Sequence, residues 1–210
     1  MRVEQQVLKG LLEHSPDALY LDIGCNDGQV TMARATEIGT KSVFGVDYLV
    51  DRIRAAKDKG LTVLEADADH WFPFKDEAFD VITATQLIED LDEPDEFLRE
   101  TKRILKPSGY AVLTTNNLAG LHYRVELLMG RQPRCMSPSE FTHGLAEDGT
   151  YCGHTSLFTY GHLKEVILMH GFRIEKSGTH TLYPLPVAAS ESITKIFPSL
   201  GAYSYYKVRK

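Results

Sequence analysis

Leu19-Tyr20-Leu21-Asp22-Ile23-Gly24-Cys25-Asn26-Asp27-Gly28-Gln29-Val30-Thr31 decides the fold. Tyr20 to Ile23 are β-prone, Gly24 and Gly28 bracket a turn, and a helix pattern begins at once after it. The helix start offers free N–H groups and a positive dipole end to a ligand. A strand–glycine–helix corner by itself says only that a nucleotide-like ligand binds there. The detail is narrower. A dinucleotide fingerprint counted from Gly24 would need glycine at 26 and 29, where Asn26 and Gln29 stand, and no Gly-Lys-Ser/Thr phosphate loop is present. Instead the turn reads Asp-x-Gly-Cys-x-x-Gly. A carboxylate at this place repels a pyrophosphate and suits a ligand carrying an ammonium or sulfonium group.

Working outward, strands and helices alternate without internal repeat. Residues 18–24, 42–47, 61–66, 79–84 and 110–115 read as strands, and 28–38, 51–59 and 94–105 as helices. Residues 106–109, Lys-Pro-Ser-Gly, are expected to break the helix before the fifth strand. Val3, Val7, Leu8, Leu11 and Leu12 share a helical face, so residues 3–14 are expected to form a lead-in helix. Beyond 117, helices are expected at 119–129, 160–170 and 188–197, and strands at 171–176 and 203–208, the last antiparallel to its neighbour. The alternation predicts a doubly wound, mostly parallel α/β sheet of seven strands with the last strand antiparallel. Residues 130–158 carry Gly, Pro, Ser, Cys and His without periodicity. A loop of that length in a compact domain is more often functional than decorative.

Composition sets the outer bounds. The chain has 210 residues, 43% hydrophobic and 25% charged, which fits one globular domain. A net charge of −6 with the basic residues dispersed argues against a nucleic-acid footprint. No apolar run approaches the ~20 residues of a membrane span. The start does not read as a signal peptide, and three cysteines at 25, 135 and 152 cannot all pair, so a reducing cytoplasm is the expected compartment.

These motifs resemble the class I S-adenosylmethionine-dependent methyltransferases, and within them the type 11 subgroup. The first motif of that family reads roughly apolar-Asp-apolar-Gly-Cys-Gly-x-Gly, with Asn26 here in place of the middle glycine. Phe79-Asp80-Val81, Leu87-Ile88-Glu89 and Arg103-Ile104-Leu105-Lys106-Pro107-Ser108-Gly109 follow in the subgroup's order, and Gly153-His154, Phe158-Thr159 and Gly171-Phe172 match its tail. The resemblance implies a Rossmann-like methyltransferase fold with S-adenosylmethionine as cofactor and methyl transfer as the activity. It implies that Gly24, Cys25, Asn26 and Gly28 shape the cofactor turn and that Asp22 orients the methionine end. Asp47, 23 residues after Gly24, falls at the carboxyl end of the neighbouring strand, where it can accept ribose hydroxyls. In the family the acidic residue there has that task. Tyr48 is placed to pack on the adenine, Asp67 and Ala68 to meet its edge, and Thr85 and Gln86 to line the sulfonium approach. The bland alternatives are a small apolar spacer for Cys25 and a solvated turn residue for Asp47.

A sulfonium methyl is already activated, so alignment and dryness matter more than acid–base machinery. If the acceptor is a hydroxyl or acidic carbon, a base helps. Where the subgroup often has Glu-His, this chain has Glu89-Asp90. Asp90, His122, His143, Tyr151 and His154 are the candidates, although for any one histidine a solvated or core-satisfied side chain is the commoner outcome. His154 stands first because it matches the tail and titrates near neutrality. Cys135, His143, Cys152 and His154 lack the tight pairs of structural zinc sites, so no metal is expected. The acceptor is expected to be a small molecule, a sugar, a lipid-linked compound or another metabolite, covered by 118–158 and 179–202. Residues 118–133 also look like a segment found in relatives associated with sugar or cell-surface polymer synthesis. The rivals are a protein or peptide methyltransferase and a non-catalytic module of the same fold, with an oxidoreductase third. The sequence leaves the oligomeric state open.

Overall fold

The computed structural model describes residues 3–133, 136 and 154–210, with side chains from Gln5 onward. Seven strands form one sheet in the order β3-β2-β1-β4-β5-β7-β6. They are β1 (Tyr20–Ile23), β2 (Val43–Asp47), β3 (Thr62–Glu65), β4 (Phe79–Thr85), β5 (Leu105–Asn116), β6 (Arg173–His180) and β7 (Tyr203–Arg209). β1 to β5 pair in parallel, and β7 enters between β5 and β6, antiparallel to both. The expected seven-stranded α/β order is therefore present.

Side-chain alternation explains the two-faced core. On β1, Tyr20 joins one cluster and Leu21 the other; Val81 and Ile82 on β4, and Tyr110 and Ala111 on β5, divide in the same way. The first face is covered by α1 (Val3–Lys9), α2 (Gln29–Ile38) and α3 (Val50–Asp58), through Leu8, Ala35, Ile38, Ile53 and Ala56. The second is covered by α4 (Pro94–Ile104) and α6 (Tyr160–Met169), through Phe97, Leu98, Ile104, Leu163 and Ile167. Each large side chain fully buried this way contributes on the order of 2 kcal/mol. Strands buried on both faces read as near-continuous apolar runs, and Tyr20–Ile23 is buried throughout, with Asp22 the one charged residue in it. Two further helices, α5 (Leu121–Leu128) and α7 (Val187–Ile196), follow β5 and β6. No helix among the described residues is long and apolar enough to cross a membrane.

Three boundaries differ from expectation. The lead-in helix stops at Lys9, not at 14; Gly10 ends it, and Leu11 and Leu12 continue as a turn bonded to the Leu8 carbonyl. The Lys106–Gly109 stretch does not precede the fifth strand but lies inside it, as an irregularity. Leu105 pairs with Phe79 and Tyr110 with Val81, so the intervening residues bulge. A Cβ at Gly109 would stand 2.8 Å from the Asp80 carbonyl oxygen, which explains the glycine. The sixth strand runs on to His180 although its second half is polar, because that half pairs with Tyr203 to Tyr206 on β7.

Candidate active site at the carboxyl edge of the sheet

The turn after β1 uses three left-handed residues, Gly24 (φ 75°), Asn26 (φ 50°) and Gly28 (φ 76°). Asparagine takes this conformation more readily than most side chains, which is why it can stand at 26. A Cβ at Gly28 would lie 3.2 Å from that of Ala56, so the second glycine serves the close approach of α2 to α3. Gly24 and Cys25 N–H donate to the Val46 carbonyl, tying the turn to β2. Asp47, at the end of β2, accepts the Asn26 N–H at Oδ2 (2.8 Å) and the Leu49 N–H at Oδ1 (3.0 Å). One carboxylate thus pins the turn and the entry to α3 together.

Beneath the turn lies a buried polar network. Asp22, 2% exposed, accepts Thr31 Oγ1 at Oδ2 (2.5 Å), and Thr83 Oγ1 (2.5 Å) and Arg34 Nη1 (2.9 Å) at Oδ1. Arg34 Nη2 donates to Thr85 Oγ1 at 2.8 Å. The guanidinium therefore reaches from α2 through the ion pair to the end of β4. Desolvation of such a pair is costly, and the hydroxyls of Thr31 and Thr83 are what satisfy the remaining lone pairs.

Two adjoining clefts run along this edge. One, about 400 Å³, is lined by Asp22, Gly24, Asn26, Arg34, Thr85 and Gln86, with Gln5 and Leu8 of α1 as its roof. The other, about 130 Å³, is lined by Val46, Asp47, Tyr48, Ala66, Ala68 and Leu87. Gly24 and Asn26 border both. Gln86 is itself left-handed (φ 51°), its N–H held by the Thr114 carbonyl at 2.9 Å. A non-glycine residue in that region at a cleft wall is the kind of strain that function retains.

Beyond Gln86, a 3-10 turn (Ile88–Asp90) carries a second polar group. Glu89 is fully buried; its Oε1 accepts Asn116 Nδ2 (3.3 Å) and the Asn116 N–H (3.4 Å), whereas Oε2 has no hydrogen-bond partner among the described residues. Burial pushes its carboxyl up to about 7 and Asp90 adds to that rise, against the neighbouring Thr115 hydroxyl and the His154 charge, which pull it down. His154 Nδ1 meets Asp90 Oδ1 at 2.5 Å and its Nε2 meets Asn116 Nδ2 at 2.9 Å. Burial alone would lower the imidazole; the Asp90 hydrogen bond and charge, with Glu89 behind, outweigh that and hold it above its ordinary value. Ser156 N–H to the Glu89 carbonyl and Thr155 Oγ1 to the Asp90 carbonyl fasten the His154 segment over the turn.

The structure thus brings Asp22, Gly24, Cys25, Asn26, Asp47, Tyr48, Ala68, Thr85 and Gln86 to the clefts, and His154 to Asp90. Cys25 packs under Gly45, and burial, with Asp22 and Asp47 nearby, pushes its thiol up to about 12, which disfavours the thiolate. Asp67 is not among the residues lining either cleft; its Oδ1 accepts the Asp69 N–H and its Oδ2 faces His70, while Ala66 and Ala68 line the wall. His122 packs at a tilt against Tyr123 and meets Tyr183 edge-on, and burial lowers its imidazole. His143, Tyr151, Cys135 and Cys152 lie outside the described residues.

Sequence reasoning passed over Arg34, Glu89 and Asn116. For Arg34 a signal existed, since it shares a helical face with Thr31, Ala35 and Ile38, all buried. For Glu89, the apolar neighbours Leu87, Ile88 and Leu91 were the sign that an acid here is buried.

Residues 21–113 match the family model described as a methyltransferase domain. A demethylmenaquinone methyltransferase of Lactobacillus johnsonii is 33% identical over 98 residues, 42% of this chain and 40% of that protein. The mitochondrial ubiquinone biosynthesis O-methyltransferase of Saccharomyces cerevisiae is 28% identical over 152 residues, 70% of this chain and 48% of that protein. The chain accordingly spans less than half the length of these two relatives. Among solved structures, an S-adenosylmethionine-dependent methyltransferase from Mesorhizobium loti superposes with a TM-score of 0.70 at 16% identity, over 100% of this chain and 98% of that one; this likeness is one of fold.

Proposed function

We propose that the chain, whose residues 21–113 match the methyltransferase-domain model, is a class I S-adenosylmethionine-dependent methyltransferase of type 11 that transfers a methyl group from S-adenosylmethionine to a small-molecule acceptor. The reading takes the chain as one domain. The acceptor enters above the carboxyl ends of β4 and β5, with 118–158 and 179–202 forming its cover.

The side chains present fit the cofactor. Each Asp47 oxygen accepts one backbone N–H and keeps lone pairs for ribose hydroxyls. Ala66, Ala68, Val46 and Leu87 give the adjoining cleft an apolar lining suited to a purine. Tyr48, at the rim, is placed to pack on it. The larger cleft is lined by two carboxylates, Asp22 and Asp27, and two guanidiniums, Arg34 and Arg52, a balanced pattern that suits a zwitterionic amino-acid end. The cofactor, when bound, supplies a methyl group already activated by its sulfonium. The protein's contribution is to hold it, align the acceptor and exclude water. Gln86, pinned with unusual backbone angles at the end of β4, is the wall between the two ligands in this reading.

The observation that carries the proposal is the continuous pair of clefts hung on Asp47 and on the Asp22–Arg34 network. Calorimetric titration with S-adenosylmethionine, S-adenosylhomocysteine and NADH tests it. Tight one-site binding of both sulfur nucleotides is expected, with none for NADH. In Asp47→Ala the loss of charged hydrogen bonds should weaken binding roughly 10- to 100-fold. A folded protein that binds neither sulfur nucleotide would overturn the reading. Labelling of a protein in cell extract by methyl-labelled cofactor would move the acceptor from small molecule to polypeptide.

A further inference from the structure

The side of the sheet that carries α1 holds a further cavity, of about 240 Å³, which shares no lining residue with the two clefts described above. α1 divides them: Gln5 and Leu8 roof the larger cleft, whereas Gln6 and Val7 wall this cavity. The floor comes from β6 and β7, which pair Gly178 with Tyr205 and His180 with Tyr203, and paired residues share a face. Tyr205 packs on the cluster beneath α1, so Lys176, Gly178 and His180 stand on that side too. A Cβ at Gly178 would lie 2.5 Å from the Tyr205 hydroxyl oxygen, so the glycine is what lets this ring lie across β6. From α7, Glu191 and Lys195 close the far wall.

His180 lines the cavity and is 3% exposed. Its ring stacks on Tyr203, and its Nδ1 meets Thr181 Oγ1 at 3.0 Å. That nitrogen is the one partner of the Thr181 hydroxyl among the described residues, so the hydroxyl donates to it and the ring proton sits on Nε2. Nε2 is buried without a partner among the described residues. A buried donor left unmatched is costly, and it marks a place where an acceptor belongs. Burial also pushes the imidazole down to about 4, so near neutral pH it donates as an uncharged group. Lys176 and Lys195 supply the charge. Both are exposed, and neither forms an ion pair among the described residues, since the acid beside Lys176, Glu175, is engaged by Lys207 and Arg209. Glu191 is the one carboxylate in the lining, which leaves the wall with one more positive group than negative.

We propose that this cavity is a binding site for a small organic monocarboxylate, whose head meets Lys176 and Lys195 and accepts the His180 Nε2–H, and whose apolar body lies against Val7, Leu11 and the Tyr205 ring. Single charge follows from the balance of the lining, and an apolar body from the mixture of α1 aliphatic side chains and phenol opposite the lysines. The Thr179 and Thr194 hydroxyls give their hydrogens to the Pro198 and Ser190 carbonyls and add no donor. The site does not rest on the methyl-transfer reading.

NMR titration of the full chain with benzoate, with hexanoate as a flexible carboxylate and with benzamide as the uncharged match, tests it. At least one carboxylate should move the His180 ring signals and the Lys195 and Tyr205 amides along one saturable curve, with a Kd on the order of 1 mM. The Gly24 and Asn26 amides, at the two clefts, should stay still. Benzamide should bind at least about tenfold more weakly than benzoate or not at all. Lys176→Ala/Lys195→Ala, at two exposed positions, should keep the fold and weaken the carboxylate about tenfold or more. Any of four results would overturn the site: no saturable His180 shift with either carboxylate up to about ten times that Kd, benzamide equal to benzoate, equal affinity in wild type and double variant, or movement of the Gly24 and Asn26 amides in place of His180.

Discussion

The two halves of the sheet's carboxyl edge treat buried charge in opposite ways. Under the β1 turn, Asp22 is matched by Arg34, Thr31 and Thr83, and Asp47 by two backbone N–H groups. At the β4–β5 end, Glu89 is buried more completely yet has one oxygen without a hydrogen-bond partner among the described residues, and shares its neighbours with a titrating histidine. The first arrangement fixes charge and shape before any ligand arrives. The second leaves a proton free to move near neutrality. A binding half needs the former, because preorganised groups cost nothing to align at the moment of binding; a chemical half profits from the latter.

The sharpest way to break this contrast is Asp22→Ala. It removes the carboxylate that the Arg34 guanidinium, 9% exposed at its side chain, meets at 2.9 Å, together with the acceptor of the Thr31 and Thr83 hydroxyls. We expect a loss of about 3–5 kcal/mol, read from the urea midpoint, a large part of what an ordinary domain has. A loss below about 1 kcal/mol would mean that the network is not a fixed charge pair. Smaller, and opposite in character, is the effect of pH on Glu89. Its folded value of about 7 lies above the ordinary 4.5, so the folded state gives up stability as pH rises from 4.5 through 7 and nothing further above that. His154, also raised, loses its contribution as pH rises from its ordinary 6.5 upward. Stability should therefore decline between pH 5 and 8, and Glu89→Gln should make that decline shallower in urea titrations at both pH values. An equally steep decline in the variant would assign it to other groups. Smallest of all, Asn26→Gly should change stability by less than about 1 kcal/mol and leave cofactor affinity alone, whereas Asn26→Val should cost about 1–3 kcal/mol from the left-handed backbone.

That ordering also tracks what could be read from the sequence. The β1 turn, Asp47 at the end of β2 and the order of strands were legible because period-2 and period-3.6 patterns are local, and glycines mark their own turns. What escaped depends on non-local geometry. The irregularity at Lys106–Gly109 looked like a break, because only the Asp80 carbonyl facing Gly109 explains why it belongs to a strand. Glu89 and Asn116 lie 27 residues apart and meet only when β4 and β5 align. Asp67 was placed on the adenine edge by pattern alone. In the fold its Oδ1 accepts the Asp69 N–H, and the flanking alanines are the residues that line the cleft wall.

Asn117, wholly buried at the point where the chain leaves the sheet, joins four places at once. Its Oδ1 accepts the Ala119 and Tyr160 N–H groups, and its Nδ2 donates to the Ser199 and Gly201 carbonyls. Two excursions, from 118 to 159 and from 181 to 200, thus start or finish at one side chain. With their ends stapled there, lengthening either costs only the slow logarithmic growth of loop-closure entropy and disturbs no strand. In the proposed reading, where these excursions cover the acceptor, their insertion, deletion or replacement alters what the protein accepts while the sheet and the β1 turn stay as they are.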